Sequence, residues 1–558
     1  MTAKQRTPTP IDAIAESWVD TLVDIDPLVG TYIGRDEVND RFGDFSPGGH
    51  ERFIDEARKV IAALDAAEPV DDVDTVTRTD LRAELALEVE SADAGLHLRD
   101  LNVIASPAQG IREIFDIMPT ATVGDWENVS SRLHALPEAM SGYIETLRLG
   151  IQRGITPAKR QVAEVFEQAK RYSAKDGFFA HLAATAGPAD GQLPASLASD
   201  LNHNAGQAAV AYQELADFLA HELEPVARTA DAVGRDIYEL QSRRFLGATI
   251  DLDETYEWGI EELRTMVEEQ ESIAREIKPG ATVEEAIAFL ENDQSRKLHG
   301  TDALQKWMQQ TSDRAVAELG RTHFDIPEEI RTIECMIAPT QEGGIYYTGP
   351  TDDFSRPGRM WWSVPEGVTE FDTWRELTTV YHEGVPGHHL QIGQAVYNRA
   401  KLNTWRRQLA GTSGHAEGWA LYAERLMEQL GYLDDPADRL GMLDGQRMRA
   451  ARVVLDIGVH LGKKVPGGDT VWTADDAFAF MGRNVNMNEG FVRFEVNRYL
   501  GWPGQAPSYK VGQRLWEQLR ADAERREGNS FDLKAFHRRA LDLGGVGLDT
   551  LKHALLAD

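Results

Sequence analysis

The stretch Tyr381–Gln391 reads YHEGVPGHHLQ. His382 and Glu383 open like the pattern H-E-x-x-H, in which two histidines one helical turn apart share a zinc ion and the glutamate serves as general base. The chemistry such a set supports is hydrolysis by metal-activated water. Here the place of the second histidine is held by Pro386, and two histidines follow at 388 and 389. In a regular helix His388 would be turned about 120° away from His382, and His389 would face correctly but lie about 10 Å along the axis. Neither could share an ion without a distortion.

Pro386 supplies a cause for one. It has no N–H to offer the carbonyl of His382, so the helix must bend or open, and Gly387 tolerates the dihedrals of an opened turn. Two readings follow. A two-residue bulge brings His388 back beside His382, or the helix ends at Val385 with surface histidines beyond it. A second helix expected over residues 411–430, GTSGHAEGWALYAERLMEQL, favours the metal: Glu417 opens an amphipathic run, Glu424 follows two turns later on its face, and His415 stands two residues before it.

Two further segments carry groups a hydrolase could use. In RYLGWPGQAPSYKVG (498–512), Tyr499, Gln505, Tyr509 and Lys510 surround a Pro-Gly turn. A tyrosine hydroxyl can donate to an oxyanion, and Gln505 and Lys510 are candidates for holding a carboxylate. In GQRMRAARVVLDIGVHLG (445–462), Arg449, Arg452, Asp456 and His460 form one polar stripe beside apolar residues. The spacing suggests i,i+4 pairs of Arg452 with Asp456 and of Asp456 with His460. A polar stripe on a buried helix must be paired or face a cleft, and His460 is the member best placed to reach one.

Taken together, YHEGVPGHHLQ, HAEGWALYAERL and RYLGWPGQAPSYKVG, in that order, resemble a large bacterial family of uncharacterised proteins grouped with the gluzincin zinc peptidases. The matching segments span 381–512, and the early GTYIGRDEVNDRFGDFSPGG fits the same layout. The resemblance implies a mostly helical fold related to neurolysin- and angiotensin-converting-enzyme-like peptidases, with a deep cleft between two helical halves. It implies one zinc ion per chain, held by His382, His388 and Glu417, with Glu383 as general base. His389 is the alternative second ligand or a neighbour of it. It also supports Tyr509 as oxyanion donor, with Tyr499 behind it. His415, His460, Gln505, Lys510 and Arg452 are then expected near substrate, and Glu424 and Asp456 behind the ligands. The activity this implies is hydrolysis of short peptides, with carboxypeptidase or dipeptidyl-carboxypeptidase action the sharper form. A hydrolase of small amides or esters, or a peptide- or metal-binding protein without turnover, are the alternatives.

The elements that must position these groups read as helices. DTVTRTDLRAELALEVESADAGLHL and DETYEWGIEELRTMVEEQESIAREI repeat apolar residues at three- and four-residue intervals. Thr282 and Glu285 have the form of a capping box. GPADGQLPAS (187–196) and VPGGDT (465–470) read as loops. Residues 333–365 break the helical pattern with aromatic and β-favouring residues between Gly and Pro, which predicts one or two short strands or a hairpin ahead of the histidines. Tyr346, Tyr347 and Arg356 belong to that side. The expected division is 1–332, a helical part walling the cleft, and 333–558, the catalytic part, in one continuous unit.

Composition sets the limits. Across 558 residues, 58 basic against 91 acidic side chains give a net charge of −33, which repels phosphate backbones and anionic lipid and argues against nucleic acid or membrane as partner. The single cysteine, Cys335, allows no internal disulfide and suits a reducing cytoplasm. The first twenty residues hold no apolar core of the kind an export leader carries, and no apolar run is long enough to span a bilayer. Cys335 has no histidine close in sequence to activate it, and no nucleotide-binding glycine loop stands in the right context.

Overall fold

The computed structural model describes residues 6–338 and 344–556. Helix starts are set where the sequence puts capping residues. Thr282 and Glu285 close the reciprocal box ahead of the helix Val283–Glu291, with Glu285 N–H donating to Thr282 Oγ1 at 3.2 Å and Thr282 N–H to Glu285 Oε2 at 3.0 Å. The two periodic stretches form the helices Asp72–Asp93 and Leu252–Ile277, and residues 187–194 and 465–470 are loop. Helix accounts for 69% of the chain and strand for 4%, so the site has to be carried on helices.

The strands are few and short. β1 (Lys297–His299) pairs antiparallel with β5 (Glu370–Asp372). β2 (Ile333–Ile337), β3 (Ile345–Thr348) and β4 (Gly358–Trp362) form a sheet in the order β2-β4-β3, with β2 parallel and β3 antiparallel to β4. The predicted strand region is therefore a three-stranded mixed sheet rather than a hairpin; residues 339–343 within it lie outside the described residues.

One apolar core gathers Val76 and residues from Tyr238 to Leu551, and runs through residue 332 without a break. A second core is built from residues between Leu28 and Ala227. At the centre of the first lies the helix Pro436–His460, buried on most of its faces. Glycines let its neighbours come close. A Cβ on Gly441 would fall on the backbone carbonyl of Trp374, in the helix Thr373–Glu383, and one on Gly259 would stand 2.8 Å from Val453 Cγ1. The helix Ser413–Gln429 meets the helix Ser508–Glu527 where a Cβ on Gly418 would strike the backbone of Gly512. These approaches fix the three helices that bear His382, Glu417 and Tyr509 against one another.

Candidate metal centre

The Thr373–Glu383 helix stops at Glu383, and a new one, His388–Tyr397, begins at His388. The bulge expected within one continuous helix is thus a full break, because Pro386 withholds the N–H that would continue the ladder. The turn is tied at both ends: Gly387 N–H donates to Tyr381 O at 3.1 Å and His389 N–H to Gly384 O at 3.1 Å. Gly387 is needed for space. Its φ is an ordinary −74°, but a Cβ there would sit on the carbonyl oxygen of His382. Trp419 Nε1, from the helix that carries Glu417, donates to Pro386 O at 2.9 Å and pins the turn. All the residues from Val380 to Gln391 are buried, so the histidines beyond the proline lie inside the molecule and not on its surface.

The break brings the two imidazoles together. The rings of His382 and His388 lie 4.8 Å apart, edge to face. Glu417 Oε2 stands 3.3 Å from His382 Nε2 and 3.7 Å from His388 Nε2. One ligand atom each of His382, Glu383 and His388 lies within 4.8 Å of the others, a group able to hold a metal ion. Behind it, Glu424 Oε1 meets His382 Nδ1 at 2.7 Å, and Gln446 Nε2 donates to Glu424 Oε2 at 3.2 Å. A carboxylate on Nδ1 holds the proton there and turns the Nε2 lone pair toward Glu417 and His388.

The donor set fits a divalent cation. Glu383 Oε2 and Glu417 Oε2 are buried without a hydrogen-bond partner, and three carboxylates crowd two imidazoles. Burial works against a charged His382, but Glu417, Glu424 and Glu383 outweigh it and push it up to about 10. Burial likewise opposes the Glu417 carboxylate, which His382 and His388 hold well below the ordinary range. A divalent cation could take the place of the proton on His382 Nε2 among these carboxylates, and two nitrogens and a carboxylate oxygen are ordinary zinc ligands. Burial raises the Glu383 carboxyl, while the charges of His388 and His382 oppose the rise.

His389 points elsewhere. Its Nδ1 is 2.9 Å from Tyr347 Oη of β3 and its Nε2 is 2.7 Å from Ile330 O, so both ring nitrogens are engaged. Gly358 of β4 makes room, since a Cβ there would fall on the Tyr347 hydroxyl. Burial pulls His389 down to about 4.

The remaining sequence candidates divide. Tyr509 opens the Ser508–Glu527 helix, with the guanidinium carbons of Arg452 and Arg449 5.2 Å and 5.9 Å from its ring centre. Burial, then the charge of Glu417, raise its hydroxyl, so it stays protonated. Arg452, Tyr499 and Gln505 belong instead to a buried network. Glu495 Oε2 accepts from Arg452 Nη2 at 2.8 Å, from Arg498 Nη2 at 2.9 Å and from the Tyr499 hydroxyl, while Arg452 Nε donates to Tyr499 Oη at 2.7 Å and Arg498 Nη1 to Gln505 Oε1 at 2.7 Å. Lys510 directs its three donors to Gln446, Gln513 and Glu262 at 2.8, 3.0 and 2.9 Å. The i,i+4 pairs expected along 445–462 do not form. Asp456 Oδ1 accepts from Tyr238 Oη at 2.6 Å and from Gly504 N–H at 3.0 Å, and His460 Nε2 lies 3.0 Å from Tyr499 O. Neighbouring helices press closely enough to offer partners better aligned than the next turn. His415 lies against Trp516, the rings tilted by 45°, with its Nδ1 3.4 Å from Gln391 Nε2, on a different side of its helix from Glu417.

Sequence reasoning gave Arg449 no role of its own, and the structure isolates it. Among the described residues its guanidinium has no hydrogen bond and no ion pair, its Nε is buried, and its charge is felt at Glu383, Glu424 and Tyr509. Gly445 leaves it room, for a Cβ there would stand 2.7 Å from Arg449 Nη1. A glycine one turn before an arginine in mid-helix was the available signal. Trp419, Gln446 and Glu495 were likewise missed; only their partners distant in sequence reveal them.

Fold and site together define a mostly helical protein with a buried His/Glu group that can hold a metal ion. The chain belongs to a bacterial family described as "Bacterial protein of unknown function (DUF885)", whose model matches residues 27–555. No curated protein matches it. Among solved structures it is similar to a "putative lipoprotein" from Colwellia psychrerythraea, at 22% identity over 98% of both chains with a TM-score of 0.84. A second, described as "a putative lipoprotein of unknown function" from Shewanella oneidensis, matches at 18% identity over 98% of this chain and 100% of the other, with a TM-score of 0.75. These likenesses show the fold. No helix among the described residues is long and apolar enough to cross a membrane.

Proposed function

We propose that this protein is a zinc-dependent hydrolase that cleaves peptide bonds of short peptides. The observation that carries the reading is the meeting of His382 Nε2, His388 Nε2 and Glu417 Oε2 beside a glutamate, Glu383, that has an unbonded carboxylate oxygen. His382, His388 and Glu417 would hold the ion, which when bound polarises a carbonyl and lowers the pKa of water. Glu424 keeps His382 in the tautomer that presents Nε2. Glu383 takes the proton of the attacking water and hands it to the leaving amine; a carboxyl raised by burial is a stronger base than a solvated one. Tyr509, kept protonated, donates to the oxygen of the scissile carbonyl as charge develops on it.

The sharper form is removal of residues from the carboxyl end. It needs a cation free to take a terminal carboxylate, and Arg449 is one without an acidic partner, whereas Lys510 is committed to Glu262. We place the enzyme in the cytoplasm, on the lone buried thiol of Cys335. Its recovery in the envelope fraction would move it to the compartment the descriptions of its two structural neighbours suggest.

The test is metal analysis of purified wild type beside His388→Ala, His389→Ala and Glu417→Ala, each digested with a peptide library with and without chelator. One zinc per chain is expected in wild type and in His389→Ala, and loss of zinc and cleavage in the other two. Zinc without peptide cleavage would point to small amides or esters, or to binding alone. A wild type that takes up no metal on reconstitution would end the proposal.

A further inference from the structure

A cavity of about 800 Å3 lies away from the metal centre, and none of His382, Glu383, His388 and Glu417 lines it. Its walls come from the helices Pro47–Ala66, Asp72–Asp93, Val123–Arg153 and Arg235–Leu246, the short turn Leu96–Arg99, the segment around Arg228, and residues 500–503. That volume suits a small organic molecule.

The wall holds five acids and five arginines, but they do not pair off evenly. Several acids there already have cations: Glu88 pairs with Arg244, and Asp55 and Asp93 with Arg58 at 3.4 and 3.5 Å. Asp231, near Arg228, is held by Arg160 at 3.2 Å. Asp100 has no ion pair among the described residues; burial pushes its carboxyl up to about 6 against the charge of Arg244, and Glu51 is exposed. Arg99, by contrast, has no hydrogen bond or ion pair for its guanidinium among the described residues. Arg228 donates only to the neutral carbonyls of Ala232 at 2.7 Å and Asp231 at 3.3 Å, and its Nε is buried with no partner. The one charge felt at Arg99 is that of Arg228, while Arg228 also feels Asp231, the acid that Arg160 holds. His97 Nδ1, in the same wall and 4.9 Å ring to ring from His50, is also buried and unpartnered. Two guanidiniums facing a common space repel each other in a medium less polarisable than water, and an oxyanion between them removes that cost. Beside the cations, Phe53, Phe245 and Trp502 provide an apolar wall, the last two packed edge to face at 5.4 Å.

We propose that this cavity is a binding site for a small organic anion, with a carboxylate or phosphate head held by Arg99 and Arg228 and an apolar body against Phe245 and Trp502. The site stands apart from the metal and does not depend on the peptidase reading. It does abut the turn that leads to Tyr509: Trp502 and Pro503 line the cavity, and Gly504 next to them is tied to Asp456.

Calorimetric titration of the metal-loaded protein, with the His388→Ala variant titrated as purified, tests it, with N-acetyl-phenylalanine, its uncharged amide, phenyl phosphate and inorganic phosphate as probes at fixed ionic strength. At least one of the two aromatic anions is expected to bind, the tighter of them naming the head group, and the amide at least tenfold more weakly. Arg99→Gln and Arg228→Gln should each weaken the anion at least tenfold, Arg99→Lys less, and His388→Ala by no more than twofold. Arg99→Lys also serves if the glutamine variant does not fold. Equal binding of acid and amide, or binding that survives Arg99→Gln with Arg228→Gln, would overturn the proposal. Loss of binding in His388→Ala would assign the anion to the metal centre instead. Inorganic phosphate binding as tightly as phenyl phosphate would leave the apolar wall unused and overturn the ligand class.

Discussion

Two buried polar clusters both bear on Tyr509, one through Arg452 against its ring and one through the charge of Glu417, and they are built differently. Around Glu495, two arginines, a tyrosine and a glutamine bond one another at 2.7–2.9 Å, with the Tyr499 hydroxyl closing the set and Arg498 Nε left without a partner. Around His382, three carboxylates gather on two imidazoles, oxygens of Glu383 and Glu417 are left without hydrogen bonds, and the nearest arginine is unpaired. A closed network holds helices in place, while one left open inside a protein costs free energy unless something else completes it. The contrast separates residues of the same type: Arg452 is part of the frame and Arg449 is available.

Substitutions can break that distinction, and the largest effect is expected at Glu383. Glu383→Gln should keep the zinc and lower kcat by about 10²–10⁴-fold, measured by metal analysis and peptide turnover on the same sample. Turnover at the wild-type level would remove Glu383 from the chemistry. Next comes the closed cluster. Glu495→Ala leaves Arg452 and Arg498 buried without their acid and should cost about 3–5 kcal/mol in urea unfolding, with one zinc still bound to the folded fraction. A loss below 1 kcal/mol would mean that the cluster is not what holds these helices.

Glu424→Gln tests the support behind the ligands. It retains an acceptor oxygen for His382 Nδ1 but loses the charge, and zinc affinity should fall about 10–100-fold in a chelator competition. Arg449→Gln should have the smallest effect. It is expected to raise KM about tenfold for peptides with a free carboxyl end, leaving amidated peptides and kcat nearly unchanged. Equal effects on both peptide classes would return Arg449 to the frame.

The frame also carries a pH signature. Burial pushes the Asp456 carboxyl up to about 7, although Tyr238 and Gly504 donate to it. The folded protein therefore binds a proton there that the unfolded chain releases nearer its ordinary value, so this group's contribution to stability is full below about pH 4 and declines as pH rises toward 7. Asp456→Asn should flatten that part of the stability curve, seen in Tm against pH, without changing zinc content. A variant with the wild-type slope would show that Asp456 is ionised in the folded protein.

What the sequence determined by itself was local. Helical periodicity, the Thr282–Glu285 box, a distortion at Pro386 and the strand-forming residues from 333 on are statements about neighbours in the chain, where backbone geometry and capping decide. The order of motifs named the ligand candidates because residue types at a metal site are few. Only tertiary structure decided which candidates meet. His389 is one residue from His388, yet Tyr347 and Ile330 claim both its nitrogens. Asp456 is one helical turn from Arg452, yet it bonds Tyr238 and the turn at Gly504, while Arg452 bonds Glu495. Glu424 reaches His382 across 42 residues of sequence, and Trp419 holds Pro386 from the helix that bears Glu417. A buried polar group takes whichever partner close packing brings to hydrogen-bond distance, and that choice depends on the glycine contacts between helices, which no local pattern encodes.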